Sequence, residues 1–335
     1  MISIVIPVYN ECECLPVLFQ RLVAAAVSWN EDFECILVDD GSRDGSLDLM
    51  RDIAGKDQRF KVLSFSRNFG HQAAVTAGLC YASGGIVAVM DADLQDPPEE
   101  LQGFFKKCRD GYDVVYAIRT DRKESLVKRL SYWLYYRFLK SLASVDIALD
   151  AGDFCVMSRR VVDTMNALPE RNRFVRGLRT WVGYRQTGLM YERRAREAGE
   201  PKYTYGKLMN LALDGLVNFS FKPLRVLAVT GVLIGVFSFL AAFLVFVMYV
   251  TDTTIGGYNP RNSQGWTSLI LAIFFLSGTQ LVGMGVLGEY IGRLFEETKA
   301  RPMYLIKEQI NFGHLETLHP GRAGNANPTC SEIRP

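Results

Sequence analysis

Acidic residues gather in three short clusters near the start of the chain. Glu11 follows Pro7-Val8-Tyr9-Asn10, Asp39-Asp40 precede Gly41-Ser42, and Asp91, Asp93 and Asp96 lie in Asp91-Ala92-Asp93-Leu94-Gln95-Asp96-Pro97-Pro98. Each cluster comes directly after an apolar run. Placed together at one edge of a sheet, the carboxylates repel one another unless a cation joins them. Mg2+ or Mn2+, hard ions that take one or two carboxylates plus phosphate oxygens, would resolve that conflict by holding a diphosphate. Carboxylates also accept hydrogen bonds from ribose hydroxyls or a base N–H, which suits a nucleoside. No G-x-G-x-x-G follows the first apolar run and no G-x-x-x-x-G-K-[ST] occurs, which argues against dinucleotide dehydrogenases and P-loop NTPases.

The elements that must position these acids are legible as Val- and Ile-rich runs. Ile2–Val8, Glu34–Val38, Lys61–Phe65, Ile86–Met90 and Val114–Ala117 read as strands, with helical patterns between them. That alternation predicts an α/β fold with a mostly parallel sheet, whose ligands bind beyond the carboxyl ends of the strands. The 335 residues carry a net charge of +2, too little to call for nucleic acid. The seven cysteines include no C-x-x-C pair, so no zinc site or disulfide framework is indicated. The N-terminus enters a strand pattern without a basic leader, so no signal peptide is expected.

Downstream, the composition changes. Residues 123–144 and 204–221 combine aromatic and apolar positions with Lys and Arg, as in helices lying in a membrane interface. The 25 residues Val226–Val250 and the 23 residues Trp266–Gly288 carry no charge. At ~1.5 Å per residue each exceeds a hydrocarbon thickness of ~30 Å, so two transmembrane helices are expected. Lys222 and Arg225 precede the first run, and Arg293, Lys299 and Arg301 follow the second. The positive-inside rule then places both termini in the cytoplasm of a multi-pass inner-membrane protein. The expected domains are a catalytic unit with interfacial helices over 1–222, a two-helix membrane region over 223–292, and a cytoplasmic tail over 293–335.

The three acidic motifs resemble those of family 2 glycosyltransferases with the GT-A fold. Arg67-Asn68-Phe69-Gly70, Gly152-Asp153-Phe154, Leu168-Pro169-Glu170-Arg171-Asn172-Arg173-Phe174 and Gly288-Glu289-Tyr290-Ile291-Gly292-Arg293 narrow the resemblance. It becomes one to polyprenyl-phosphate glycosyltransferases, of the bactoprenol glucosyltransferase type and related to dolichol-phosphate mannose synthases. It covers residues 1 to about 306. The resemblance implies that Pro7, Tyr9, Glu11, Asp39, Asp40 and Asp91 bind the nucleotide-sugar, and that Asp93 with Gln95 ligates the metal. Arg196 and Lys202 would contact the donor phosphates. Arg119, Lys128, Arg129 and Ser131 would bind the acceptor phosphate. Pro201 and Cys155 depart from the pattern, standing where relatives usually have Ser and often Arg.

The expected reaction moves a hexose, glucose from UDP-glucose foremost, onto undecaprenyl or another polyprenyl phosphate with inversion. N-acetylglucosamine, mannose and aminoarabinose are the alternative sugars. A phosphate monoester with a second pKa near ~6 is largely a dianion at pH 7 and needs cations more than a base. Asp153 therefore reads as orienting the acceptor through a cation, with a general base as the alternative. His71 has no partner at ligand spacing and reads as structural. A processive polysaccharide synthase is the rival, but Arg176-Gly177-Leu178-Arg179-Thr180-Trp181 does not match Q-x-x-R-W. A non-catalytic scaffold would have no reason to keep clustered carboxylates. The expected partners are the donor, the lipid acceptor, the bilayer and a second copy in a homo-oligomer.

Overall fold

The structure is a computed structural model that describes residues 1–119, 151–171, 173–191, 222–254, 256, 259 and 265–312. The expected interfacial helices over 123–144 and 204–221 lie outside the described residues.

Eight strands form one sheet in the order β7-β5-β6-β4-β1-β2-β3-β8. They are β1 (Ile2–Val8), β2 (Phe33–Asp39), β3 (Phe60–Phe65), β4 (Ile86–Val89), β5 (Val114–Arg119), β6 (Ala151–Ser158), β7 (Gln186–Tyr191) and β8 (Ile306–Ile310). The strands β4, β1, β2 and β3 run parallel, joined by crossover helices α1 (Leu15–Ala26), α2 (Ser46–Lys56) and α3 (His71–Tyr81). Helix α4 (Leu101–Arg109) leads into β5. Strand β6 is inserted antiparallel between β4 and β5, and β8 closes the other edge antiparallel to β3.

Alternation along β1 decides which face goes where. Ile2, Ile4, Ile6 and Val8 join a buried cluster with Leu15, Leu18 and Leu22 of α1 and Phe104 and Phe105 of α4. Val5 points the other way, toward α3. A Cβ added at Gly78 would stand 2.1 Å from Val5 Cγ1, so only glycine lets this helix lie so close on the sheet.

Beyond β6, α5 (Arg159–Ala167) and α6 (Val175–Trp181) precede β7. Residues up to 191 and from 300 onward belong to one compact unit, and α7 (Lys222–Thr251) and α8 (Trp266–Thr298) belong to a second. The second unit turns large apolar side chains outward: Phe237 is 75% exposed in α7 and Leu281 69% in α8. Counted over the described residues alone, no helix is long and apolar enough to cross a membrane.

The segment after 293 departs from the expected tail. Helix α8 runs on to Thr298, and Ile306–Ile310 pairs with Val62–Phe65 as a sheet strand. Side-chain contacts explain why a strand with two charges docks here. Glu308 receives Arg51 through Nη2 at 2.6 Å and Nε at 3.1 Å, and Asn311 donates to the carbonyls of Ala54 and Phe60. Tyr304, 1% exposed, stacks on Phe65 with centroids 5.0 Å apart.

Candidate active site

The loops after β1, β2 and β3 are tied into one platform. Asn10 N–H donates to Ser42 Oγ, Glu11 N–H to Ser46 Oγ, and Arg43 N–H to Asn10 Oδ1. Asn10 sits at φ 55°, in the left-handed region that asparagine tolerates better than most residues. Gly41, at φ +71°, lies against the next loop. A Cβ there would meet the Arg67 carbonyl carbon at 2.6 Å and Asn68 N at 2.7 Å. The Asp39-Asp40-Gly41 and Arg67-Asn68-Phe69-Gly70 motifs are thus two sides of one contact.

Both aspartates of the first motif are turned inward. Asp39 accepts from Ser42 N–H and Ser64 Oγ, each at 2.9 Å. Asp40 accepts from Phe69 N–H at 2.6 Å and from Gly70 N–H at 3.0 Å, securing the start of α3. Burial pushes the Asp40 carboxyl above its usual range, although those N–H groups oppose the shift. Tyr9 is 39% exposed at the platform edge, while Pro7 is buried in β1 beside Val38. What these two aspartates hold within the fold is the loop geometry; a nucleoside would meet only their remaining lone pairs.

The D-x-D turn is also anchored from within. Asp93 is 7% exposed and its Oδ1 accepts the Gln95 N–H at 3.2 Å. Asp96 is buried and hydrogen-bonded by the Tyr191 hydroxyl of β7. Leu94 between them adopts φ 61°. Among the described residues, no group of three His, Cys, Asp or Glu side chains converges as a metal cage. Two carboxylates in a tight turn still match a hard ion whose remaining ligands are diphosphate oxygens and water, so the residues present fit Mg2+ or Mn2+.

The closest gathering of charge lies one strand away. In the β4–β6 ladder Ile86 faces Ser158 and Val89 faces Cys155. The same antiparallel register, carried two residues on, brings Asp91 opposite Asp153. His71, first residue of α3, places Nε2 3.8 Å from Asp91 Oδ1 and 3.8 Å from Asp153 Oδ2. Arg176 of α6 donates to Asp153 Oδ2 through Nη2 at 2.9 Å and to Oδ1 through Nε at 3.3 Å.

The two acids respond in opposite ways. Burial pushes Asp91 up to about 6; His71 opposes this, while Asp153, Asp96 and Asp93 add to it. Burial would raise Asp153 too, but the Arg176 guanidinium, with help from His71 and Arg179, holds it below the usual carboxylate range.

Of the expected acceptor residues, Arg119 closes β5 with its backbone described and its side chain not. Lys128, Arg129, Ser131, Arg196 and Lys202 lie outside the described residues. His71 and Arg176 join the site without having been singled out for it. Neither stands at a telling spacing from an acid in the chain; the β4–β6 register and the docking of two helices unite them.

The chain is similar to known proteins along most of its length. Residues 3–165 match the glycosyl transferase family 2 model. A Bacillus subtilis protein described as uncharacterized glycosyltransferase YkcC is 44% identical over 308 residues, 91% of this chain and 93% of its own. The bactoprenol glucosyl transferase of Shigella phage SfV is 40% identical over 309 residues, covering 92% of this chain and 98% of that protein. The mostly parallel core of the sheet, its acidic strand ends and similarity along nine-tenths of the sequence lead to one assignment: the chain is a glycosyltransferase of family 2, in the group that includes the bactoprenol glucosyl transferases.

Proposed function

We propose that this chain transfers a hexose, glucose from UDP-glucose foremost, onto polyprenyl phosphate at the cytoplasmic face of a membrane. The observation that carries the reading is the facing pair Asp91 and Asp153, with His71 between them and Arg176 behind. It joins the D-x-D turn to a second charged position in one site. The relatives named for bactoprenol glucosylation suggest the lipid acceptor.

The chemistry is a single displacement. An acceptor phosphate oxygen forms the bond to the anomeric carbon, the bond to the donor β-phosphate oxygen breaks, and its electron pair leaves on the nucleoside diphosphate. The configuration inverts. Because the acceptor is already a dianion, no proton need be removed, and Asp153 serves to orient it through a cation rather than to deprotonate it. Asp93 and Gln95 would hold Mg2+ or Mn2+, which when bound offsets charge on the leaving diphosphate. Arg196 and Lys202 are assigned to the donor phosphates, and Arg119, Lys128, Arg129 and Ser131 to the lipid phosphate, so that each anion has its own cations.

Helices α7 and α8 are assigned as the membrane spans, on the strength of their uncharged runs and outward apolar side chains. Both termini would then be cytoplasmic. A cysteine introduced as Asn259→Cys should react with an impermeant thiol reagent applied to intact cells; reaction only after lysis would reverse the topology. The activity itself is tested by offering membranes containing the protein a panel of radiolabelled nucleotide-sugars with undecaprenyl phosphate. Lipid-linked glucose from UDP-glucose is the expected product. Label in a growing polymer would favour the synthase reading, and no lipid-linked label from any donor would sink the proposal.

A further inference from the structure

Helix α6 is held to the site at three points. Its first residue, Val175, donates its N–H to Gln72 Oε1 at 2.8 Å, and Gln72 follows His71 on α3. Arg176 takes both carboxylate oxygens of Asp153. Arg179, one turn on and 2% exposed, reaches the Gly152 carbonyl at 3.4 Å and lies over the Tyr116 ring at 5.5 Å. Residues three apart share a helix face, so the two arginines straddle Gly152-Asp153. The buried Arg173 fixes the turn before the helix by donating to the carbonyls of Glu170 and Leu168 at 3.1 and 2.6 Å.

That docking acts on a carboxylate under strain of charge. Asp153 faces Asp91 across the strand register, and each donor or acceptor phosphate that enters adds negative charge. Unrestrained, the Asp153 side chain would swing away from them. A planar guanidinium bound through two N–H groups fixes both the position and the plane of a carboxylate, which a single point charge does not. Asp153 and Arg176 remain 22% and 27% exposed, so the pair is set at the site surface rather than sealed in the core.

We propose that Arg176 is the positioning residue for Asp153: docked on α6, it holds that carboxylate in the plane and place from which it orients the acceptor phosphate. The proposal rests on the reading of Asp153 as an acceptor-side group. It differs from a role in binding phosphate directly, since Arg176 would act through Asp153 and not on substrate.

The test uses Arg176→Gln and Arg176→Lys in the full-length chain. Gln keeps much of the length without the charge; Lys keeps the charge without the fork. With undecaprenyl phosphate and UDP-glucose, kcat should fall roughly 10- to 100-fold in the Gln variant, as expected for loss of a charge-assisted bond. The Lys variant should recover part of that. Binding of UDP with Mn2+, measured by calorimetry, should stay within about twofold of wild type, because α6 serves the acceptor side. Independently of activity, carbodiimide labelling of Asp153, read by peptide mass spectrometry, should rise several-fold in Arg176→Gln.

Unchanged kcat, unchanged labelling, or a parallel loss of UDP binding would each overturn the proposal. A raised KM for the lipid with kcat intact would also overturn it, by making Arg176 a direct phosphate ligand. A wild-type protein that glycosylates no lipid defeats the proposed function instead, and the labelling arm then decides the Arg176–Asp153 pairing alone.

Discussion

The sheet carries acid at both of its ends, and the acids at the two ends differ in character. At the start of β2, Glu34 is 3% exposed and fully provided for. It accepts from Ser3 Oγ at 2.5 Å, Ser83 N–H at 2.7 Å and Ser83 Oγ at 2.8 Å, and it pairs with Lys61 Nζ at 2.6 Å. Burial would raise its pKa, but Lys61 and the serine donors bring it below its ordinary value. At the other end of the sheet, Asp91 and Asp153 face one another with Asp93 and Asp96 nearby, and Asp91 is pushed up to about 6. A carboxylate satisfied from within serves the fold. Asp91, raised by burial and by its acidic neighbours, gains from a cation that binds, and that is the physical difference between a structural acid and a site acid.

The comparison can be broken in three places. Asp93→Asn should have the largest effect, lowering transfer by roughly a hundred- to a thousandfold, the scale on which loss of a preorganised charge contact at the transition state is felt. Its Tm should stay near wild type. Near wild-type turnover by this variant, or by wild type in excess EDTA, would remove the metal from the site.

Glu34→Ala should reverse the pattern. Breaking a buried pair strands Lys61 and three hydroxyl or N–H donors, so unfolding in urea should show a loss of about 2–3 kcal/mol. Activity per folded molecule should be unaltered. A stable variant with impaired transfer would mean that the amino ends of the strands also serve the site.

The smallest effect is in pH dependence, where the two ends differ in sign. The Glu34 contribution is present above the ordinary glutamate value and is lost as pH falls through its lowered pKa. The Asp91 contribution is present below the ordinary aspartate value and is lost as pH rises through about 6. Protein freed of metal should therefore lose roughly 3–6 °C in Tm between pH 4.5 and pH 7 through Asp91. Asp91→Asn should abolish that decline. Mn2+ should offset it in wild type while leaving the acid-side loss from Glu34 in place. An identical pH profile in wild type and Asp91→Asn would show that the site carboxylates carry no such charge conflict.

Local pattern made much of the molecule legible. The five strands from Ile2 to Ala117 are apolar runs bounded by turn residues, and each forms within two residues of its expected limits. The absence of charge also marked α7 and α8, because such a run needs no tertiary partner to be recognised. The acidic strand ends followed from the parallel sheet, whose carboxyl edge gathers them whatever the side-chain details.

Three strands were not visible in that way. β6 must choose β4 and β5 as antiparallel neighbours, β7 is partly exposed, and β8 has two charged residues in five. Their stability comes from partners far along the chain, such as Arg51 for Glu308, and no window of sequence contains both. The same holds at the site. The residue types and the strand ends that carry Asp91 and Asp93 were determined by sequence. That Asp153 faces Asp91, that His71 lies between them and that Arg176 restrains one and not the other were decided by the tertiary structure, because strand register and helix docking depend on contacts between distant segments.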